Sequence, residues 1–272
     1  FGYSSRLLAS GFLSTVMDNL YFLIIGKLFS ATELGFYSRA QMFAQLPSYN
    51  LCGIVSRVTF PVFALLQNDK TRLKQGYKKS LRTLAGINFP IMFGLVAVAK
   101  PLVLVLLTEK WLPCVLYLQI LCIAGMMYPL HGINLSILKA LGRSDLFFRL
   151  TLIKYALMVV NISITWRWGI EMMIWGLMFL NILSYYINSY YSGSIINYGI
   201  IEQIKDISPY FAISIAMGSI VWMIQYVDFK YTLSLLLCQV VAGLIVFIFI
   251  ARAFRLSIYM EGWEFIRKRL AD

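Results

Sequence analysis

Apolar runs about 20 residues long recur along almost the whole chain, and no other feature limits its fold so severely. A helix needs about that many apolar residues to cross the hydrocarbon layer. Such a window fits at 6–29, 36–66, 83–106, 114–138, 147–166, 172–196, 207–227 and 231–252. Of the 272 residues, 60% are hydrophobic and 13% charged, with a mean hydropathy of +0.75, whereas about a quarter are charged in soluble domains. A soluble fold of this length could not bury so much apolar side chain. The chain therefore reads as an all-α integral membrane protein, an antiparallel bundle of about eight transmembrane helices with short connections.

Lysine and arginine set the orientation. One side collects Arg6, the six cations from Lys70 to Arg82, then Lys139, Arg143, Arg149 and Lys205, and the five from Arg252 to Arg269, which makes 16 of the 24 cations. The other side holds Lys27, Lys110, Arg167 and Lys230. The positive-inside rule then puts both ends in the cytoplasm, as an even number of spans allows. The net charge of +12 is thus explained by topology. Nucleic acid would need a solvated basic face with stacking aromatics, which the short cationic clusters do not form.

Two basic segments are amphipathic. In NDKTRLKQGYKKSLRTL, Leu73, Tyr77, Leu81 and Leu84 recur at helical spacing opposite Arg72, Lys78, Lys79 and Arg82, and Tyr259, Trp263, Ile266 and Leu270 repeat the pattern in the tail. Both are expected to lie on anionic headgroups. Trp111, Trp166, Trp168, Tyr226 and Tyr231 fall at outer span ends, where aromatic belts form.

Polar residues inside the spans carry the functional information. They are Asp18, Arg39, Asn50, Arg57, Lys100 and Lys154. A charge at mid-bilayer costs about 2.5 kcal/mol or more, so each should meet a partner or a watery cavity. Arg39, Asn50 and Arg57 fall within about 20° on an ideal helical wheel and span about 27 Å, nearly the hydrocarbon thickness. Such a stripe suits the wall of a pathway. Pro47 lies within it and can bend the helix, making it a candidate hinge. In the first span Gly11, Ser14 and Asp18 share a polar face. Two readings stay open for Asp18: an ion pair with Arg57 or Arg39 that ties two helices, or a carboxylate that tunes a cationic cavity wall. Lys154, one or two turns from the cytoplasmic end, is expected to snorkel outward, and Lys100 beside Pro101 is explained in the same way, with a place on the pathway as the lesser reading of each.

Catalytic machinery is not visible. His131 stands alone and reads as a packed polar residue, since a metal site would need more ligands. Cys52, Cys114, Cys122 and Cys238 show no CxxC spacing, and three of them lie in apolar runs. There is no Ser-His-Asp set, no paired carboxylates and no phosphate-binding glycine loop, so neither an enzyme nor a cofactor or metal is expected. The chain opens at Phe1 without an initiator methionine or a basic stretch ahead of a short apolar run, and reads as a piece of a longer protein that contains earlier helices.

The words ELGFYSRAQMFAQLP, RVTFPVFALLQND, KPLVLVLLTEKW, LQILCIAGMMYPL and LKALGRSD, in this order and spacing, resemble the C-terminal half of Wzx-type polysaccharide flippases, closest to the colanic-acid exporter branch of the multidrug/oligosaccharidyl-lipid/polysaccharide exporter superfamily. The resemblance covers nearly all of residues 1–255. It implies a 14-helix protein, of which residues 1–200 would be the six-helix second lobe, 201–254 two additional helices and 255–272 a cytoplasmic amphipathic tail. The implied activity is transfer of an undecaprenyl-pyrophosphate-linked oligosaccharide across the bacterial inner membrane, through a cavity shared with an N-terminal lobe of the same protein. Membrane lipids and a glycan polymerase are the further implied partners. The related lipid II flippases carry an important arginine two residues after the alanine of SRA, where this chain has Met42, so Arg39 does not inherit that role. Arg39 reads as a mark of the branch, near the periplasmic end, and Arg57 and Asn50 as the better cavity residues. Two alternatives stand beside this reading: a small-molecule antiporter, which would call for acidic cavity residues, and a scaffold that transports nothing.

Overall fold

The computed structural model describes residues 12, 15–17, 19–254 and 259. Among these the chain forms α1 (Leu20–Leu28), α2 (Ala31–Leu65), α3 (Lys70–Leu106), α4 (Cys114–Gly125), α5 (Tyr128–Ala140), α6 (Ser144–Thr165), α7 (Ile170–Ile196), α8 (Ile200–Met223) and α9 (Thr232–Ala253), with short 3-10 turns after α3, α6 and α8. Among the described residues six segments are long and apolar enough to cross a membrane: α3, the α4–α5 pair, α6 with its turn, α7, α8 with its turn, and α9. The chain is thus an all-helical multi-pass membrane protein. The 35-residue α2 has the length, but polar residues hold it below that level of apolarity.

Local chemistry sets the boundaries. Ser30 and Glu33 form a reciprocal capping box at the start of α2: the Glu33 amide donates to Ser30 Oγ, and the Ser30 amide to Glu33 Oε2, both at 3.1 Å. The helix consequently begins five residues earlier than its apolar run suggests. Asp69 accepts from the amides of Thr71 and Arg72 and starts α3. At the α7–α8 turn Asn197 takes the left-handed conformation (φ 53°), and the Tyr198 amide donates to the Gly193 carbonyl at 2.9 Å. A Cβ on Gly193 would stand 2.3 Å from the Tyr198 carbonyl oxygen, so only glycine permits this return.

The expected 114–138 span is interrupted between Gly125 and Tyr128, just before Pro129. Carbonyls freed there must find partners in a medium without water. Asn88 Nδ2 of α3 donates to the Met126 carbonyl at 3.0 Å, and Ser48 Oγ of α2 lies 3.2 Å from that of Gly125 and 3.0 Å from Asn88 Oδ1. Three helices are thereby tied together one residue after Pro47.

The basic amphipathic segment at 70–84 does not lie on headgroups as the sequence suggested. It is the first third of the unbroken 37-residue α3, and Leu73, Tyr77, Leu81 and Leu84 are all buried in the protein core. Its partner is α8, which runs parallel to it. Lys74 pairs with Glu202 at 2.8 Å, and Lys78 and Arg82 pair with Asp206 at 3.0 and 2.6 Å. Farther along, a Cβ on Gly218 would meet Phe93 at 3.1 Å, which marks a close approach of the two backbones. A small apolar cluster of Val98, Met217, Val221 and Leu236 seats α9 against this pair. Of the amphipathic tail only Tyr259 is described, packed at the edge of the main core; Trp263, Ile266 and Leu270 lie outside the described residues.

Candidate substrate pathway

The helix wheel for α2 carries over into three dimensions as exposure. Arg39, Asn50 and Arg57 all lie on the side of α2 that no described helix covers, together with Met42, Gly53, Ile54 and Val58. The opposite side, with Tyr37, Ala40, Ala44 and Ser48, is buried against the rest of the bundle. Both prolines lie inside one continuous helix.

Each of the three polar residues is held differently. Arg39 sits 5.8 Å above the Trp111 ring and 3.8 Å from Met42 Sδ, so cation–π contact fixes it at the end of the helix nearer the α3–α4 turn. Asn50 is exposed, and its Nδ2 donates to the Leu46 carbonyl one turn back at 2.8 Å. The Arg57 guanidinium has no hydrogen-bond or ion-pair partner among the described residues, and open space surrounds neighbouring Gly53. Asp18 and Ser14 lie outside the described residues. Lys100 is exposed on α3.

Lys154 is placed otherwise than the snorkelling expectation. It is half-buried on α6 and lines a cavity of about 130 Å³ between α2, α4, α6 and α7, with Gln41, Gln45, Tyr49, Tyr128 and Asn181 on the other walls. Gln41, Gln45 and Tyr49 also line an open groove of about 380 Å³ on the exposed side of α1 and α2, where Ser38, Met42 and Asn50 join them. Cavity and groove therefore share a wall. The rings of Tyr49 and Tyr128 stack at 4.4 Å between centroids and 19° between planes. These residues were missed in the sequence, although Gln41, Gln45 and Tyr49 recur at i, i+4 and i+8 and so share one line on a helix.

A second polar system is closed to the outside. Asn134, fully buried on α5, accepts from the Tyr77 hydroxyl at 2.6 Å and from Ser192 Oγ, and donates to Ser189 Oγ at 3.3 Å. Gln203 Oε1 accepts from the Tyr185 hydroxyl and lies 3.4 Å from that of Tyr77, and its Nε2 donates to the Tyr198 carbonyl. The Tyr198 hydroxyl donates to Asp206, which links this network to the ion pairs of α3. His131 is buried nearby, with Nδ1 3.3 Å from Asn188 Nδ2 and its ring edge-on to Tyr185. Among the described residues no three His, Cys, Asp or Glu side chains gather as metal ligands, and the four cysteines are free.

Residues 1–116 match the family described as "Polysaccharide biosynthesis protein". The chain is 32% identical over 148 residues to the teichuronic acid biosynthesis protein TuaB of Bacillus subtilis (strain 168), an alignment covering 54% of this chain and 31% of TuaB. It is 31% identical over 162 residues to the lipopolysaccharide biosynthesis protein WzxC of Escherichia coli (strain K12), covering 60% of this chain and 33% of WzxC. Among solved structures, the lipid II flippase MurJ in an inward closed conformation superposes with a TM-score of 0.73 at 16% identity, over 91% of this chain and 53% of MurJ. The likeness to MurJ is one of fold. The chain spans about a third of the length of these curated relatives and about half that of the solved one.

Proposed function

We propose that the chain is the C-terminal half of a Wzx-type polysaccharide flippase and that it forms one wall of a pathway for an undecaprenyl-pyrophosphate-linked oligosaccharide. The intact protein would move this repeat unit from the cytoplasmic to the periplasmic leaflet of the bacterial inner membrane. The cation distribution supports cytoplasmic placement of both ends of this segment. Residues 1–200 would be the second lobe, and 201–254 the two additional helices.

The observation that carries this reading is the uncovered side of α2. In a chain so apolar, two arginines and an asparagine in line on an exposed helix face call for a polar counterpart, and an N-terminal lobe of the same protein facing them across a cavity would supply the enclosure. A diphosphate is the natural occupant near Arg57, because the planar guanidinium fork binds phosphate oxygens in pairs. Asp18 would tune this charge and Ser14 would share its face. Alternate opening to the two sides would use Pro47, whose missing amide hydrogen leaves the Phe43 carbonyl without its helical donor and lowers the cost of bending α2.

Charge reversal at the proposed phosphate position provides the test. Arg57→Glu is expected to abolish surface glycan display at an unchanged level of protein in the membrane. Normal display by that variant would remove Arg57 from the pathway. A cell lacking the intact protein that still displays its glycan would remove the flippase reading altogether.

A further inference from the structure

The open groove on α2 differs in chemistry from the position of Arg57. Its polar lining is Ser38, Gln41, Gln45, Tyr49 and Asn50, and it carries no charged side chain among the described residues. Amides and hydroxyls suit a ligand whose groups both donate and accept hydrogen bonds, since each carboxamide offers two donors and a two-lone-pair acceptor in one plane. Beside these amides the stacked rings of Tyr49 and Tyr128 provide a flat apolar wall at the mouth of the inner cavity.

Neutral amides next to aromatic faces match a carbohydrate, whose rings present hydroxyls at the edge and C–H bonds on the face. They do not match a diphosphate, which calls for cations or clustered amide N–H donors. Gln45 and Asn50 stand 12 and 7 residues before Arg57, which is about 18 and 10 Å along a helix. A ligand whose diphosphate met Arg57 could therefore lay its glycan in the groove. Resting on the flippase reading, we propose that Gln41, Gln45, Tyr49 and Tyr128 form a saccharide subsite that recognises the glycan of the transported lipid, separate from the phosphate position at Arg57.

Two carriers distinguish the sites. One is the undecaprenyl diphosphate bearing the host's own repeat unit, extracted from a strain that cannot polymerise it; the other is undecaprenyl diphosphate without sugar. The intact protein in proteoliposomes is offered each, and transfer to the opposite leaflet is measured. Gln45→Leu changes an exposed side chain, and Tyr49→Ala removes half of the aromatic wall. Each is expected to lower the ratio of glycan-bearing to sugar-free transfer about tenfold, the size of effect that follows from loss of one well-placed contact. Arg57→Gln is expected to lower both transfers and leave the ratio unchanged. Ratios equal to wild type for both Gln45→Leu and Tyr49→Ala would overturn the subsite while the flippase reading stands. A wild-type protein that moves neither carrier would overturn both. Should Tyr49→Ala be lost from the membrane, the ratio measured for Gln45→Leu decides.

Discussion

The chain contains two sets of polar residues among its packed helices, and they are built on opposite plans. The network around Asn134 and Gln203 is closed: the amide of each meets partners from α3 and α7 or the α7–α8 turn, and the network ends in ion pairs at Asp206. The face of α2 is open: Arg57 has no partner among the described residues, the Asn50 amide nitrogen bonds only back to its own helix, and Gln41 Oε1 receives no hydrogen bond among the described residues. In a membrane, helices gain little from burying apolar side chains against one another, because lipid is equally apolar. Closed polar networks and tight backbone contacts then supply much of the specificity of assembly. An open polar face gives nothing of this kind among the described residues and calls for a counterpart beyond them.

Substitutions in the closed network should therefore unfold the helical bundle, and the largest effect is expected at its centre. Asn134→Leu removes the acceptor of two hydroxyls and a donor in one step, at a site without water. A loss of about 3 kcal/mol is expected, measured as the midpoint of unfolding of the purified intact protein in mixed micelles. An Asn134→Leu variant as stable as wild type would show that the network is not what holds α3, α5 and α7 together.

Asp206→Ala should follow closely. Its carboxylate is the common partner of Lys78, Arg82 and Tyr198 and is itself 10% exposed, but the two cations are about one-third exposed and can turn to water. That partial escape reduces the several kcal/mol typical of breaking a fully buried pair to about 2 kcal/mol. Restoring the charge as Asp206→Glu should recover part of this loss, and Asp206→Asn should recover less. The same midpoint measurement checks the order, and equal values for Ala, Asn and Glu would exclude the ion pairs as its cause.

The contrast also explains how far the sequence could be read. Windows of about 20 apolar residues located the long helices because hydrocarbon thickness allows few other solutions. Amphipathic periodicity at 70–84 identified the correct face, Leu73, Tyr77, Leu81 and Leu84, yet periodicity is the same whether that face meets lipid or protein. The discriminating signal was distant in the chain: Lys74 and Lys78 are one turn apart, as are Glu202 and Asp206, and the matching steps bring α3 and α8 into register. On α2 the charged residues drew the sequence reading because burial of charge is costly. The uncharged line of Gln41, Gln45 and Tyr49 shares its helix with them and lines the cavity, but neutral side chains carry no comparable penalty to announce it. At Lys154 the sequence left snorkelling and a place on the pathway both open, since depth along a span fixes distance from the interface but not the direction in which a side chain points.

The smallest effect on stability belongs to the open face. Arg57→Gln exchanges one exposed polar side chain for another on a helix whose packing lies on the opposite side. The unfolding midpoint should then shift by no more than about 0.5 kcal/mol, the range of surface substitutions away from packing features. Export should nevertheless fall about tenfold or more, because a charge-assisted pair of hydrogen bonds to phosphate is replaced by a neutral contact. The two readouts together sharpen the comparison: in the closed network stability and export must decline in step, whereas at Arg57 they must separate. If Arg57→Gln destabilised the protein by as much as Asp206→Ala, Arg57 would be a structural partner of another helix, and the open face of α2 would be a packing surface whose cover is a fixed protein contact.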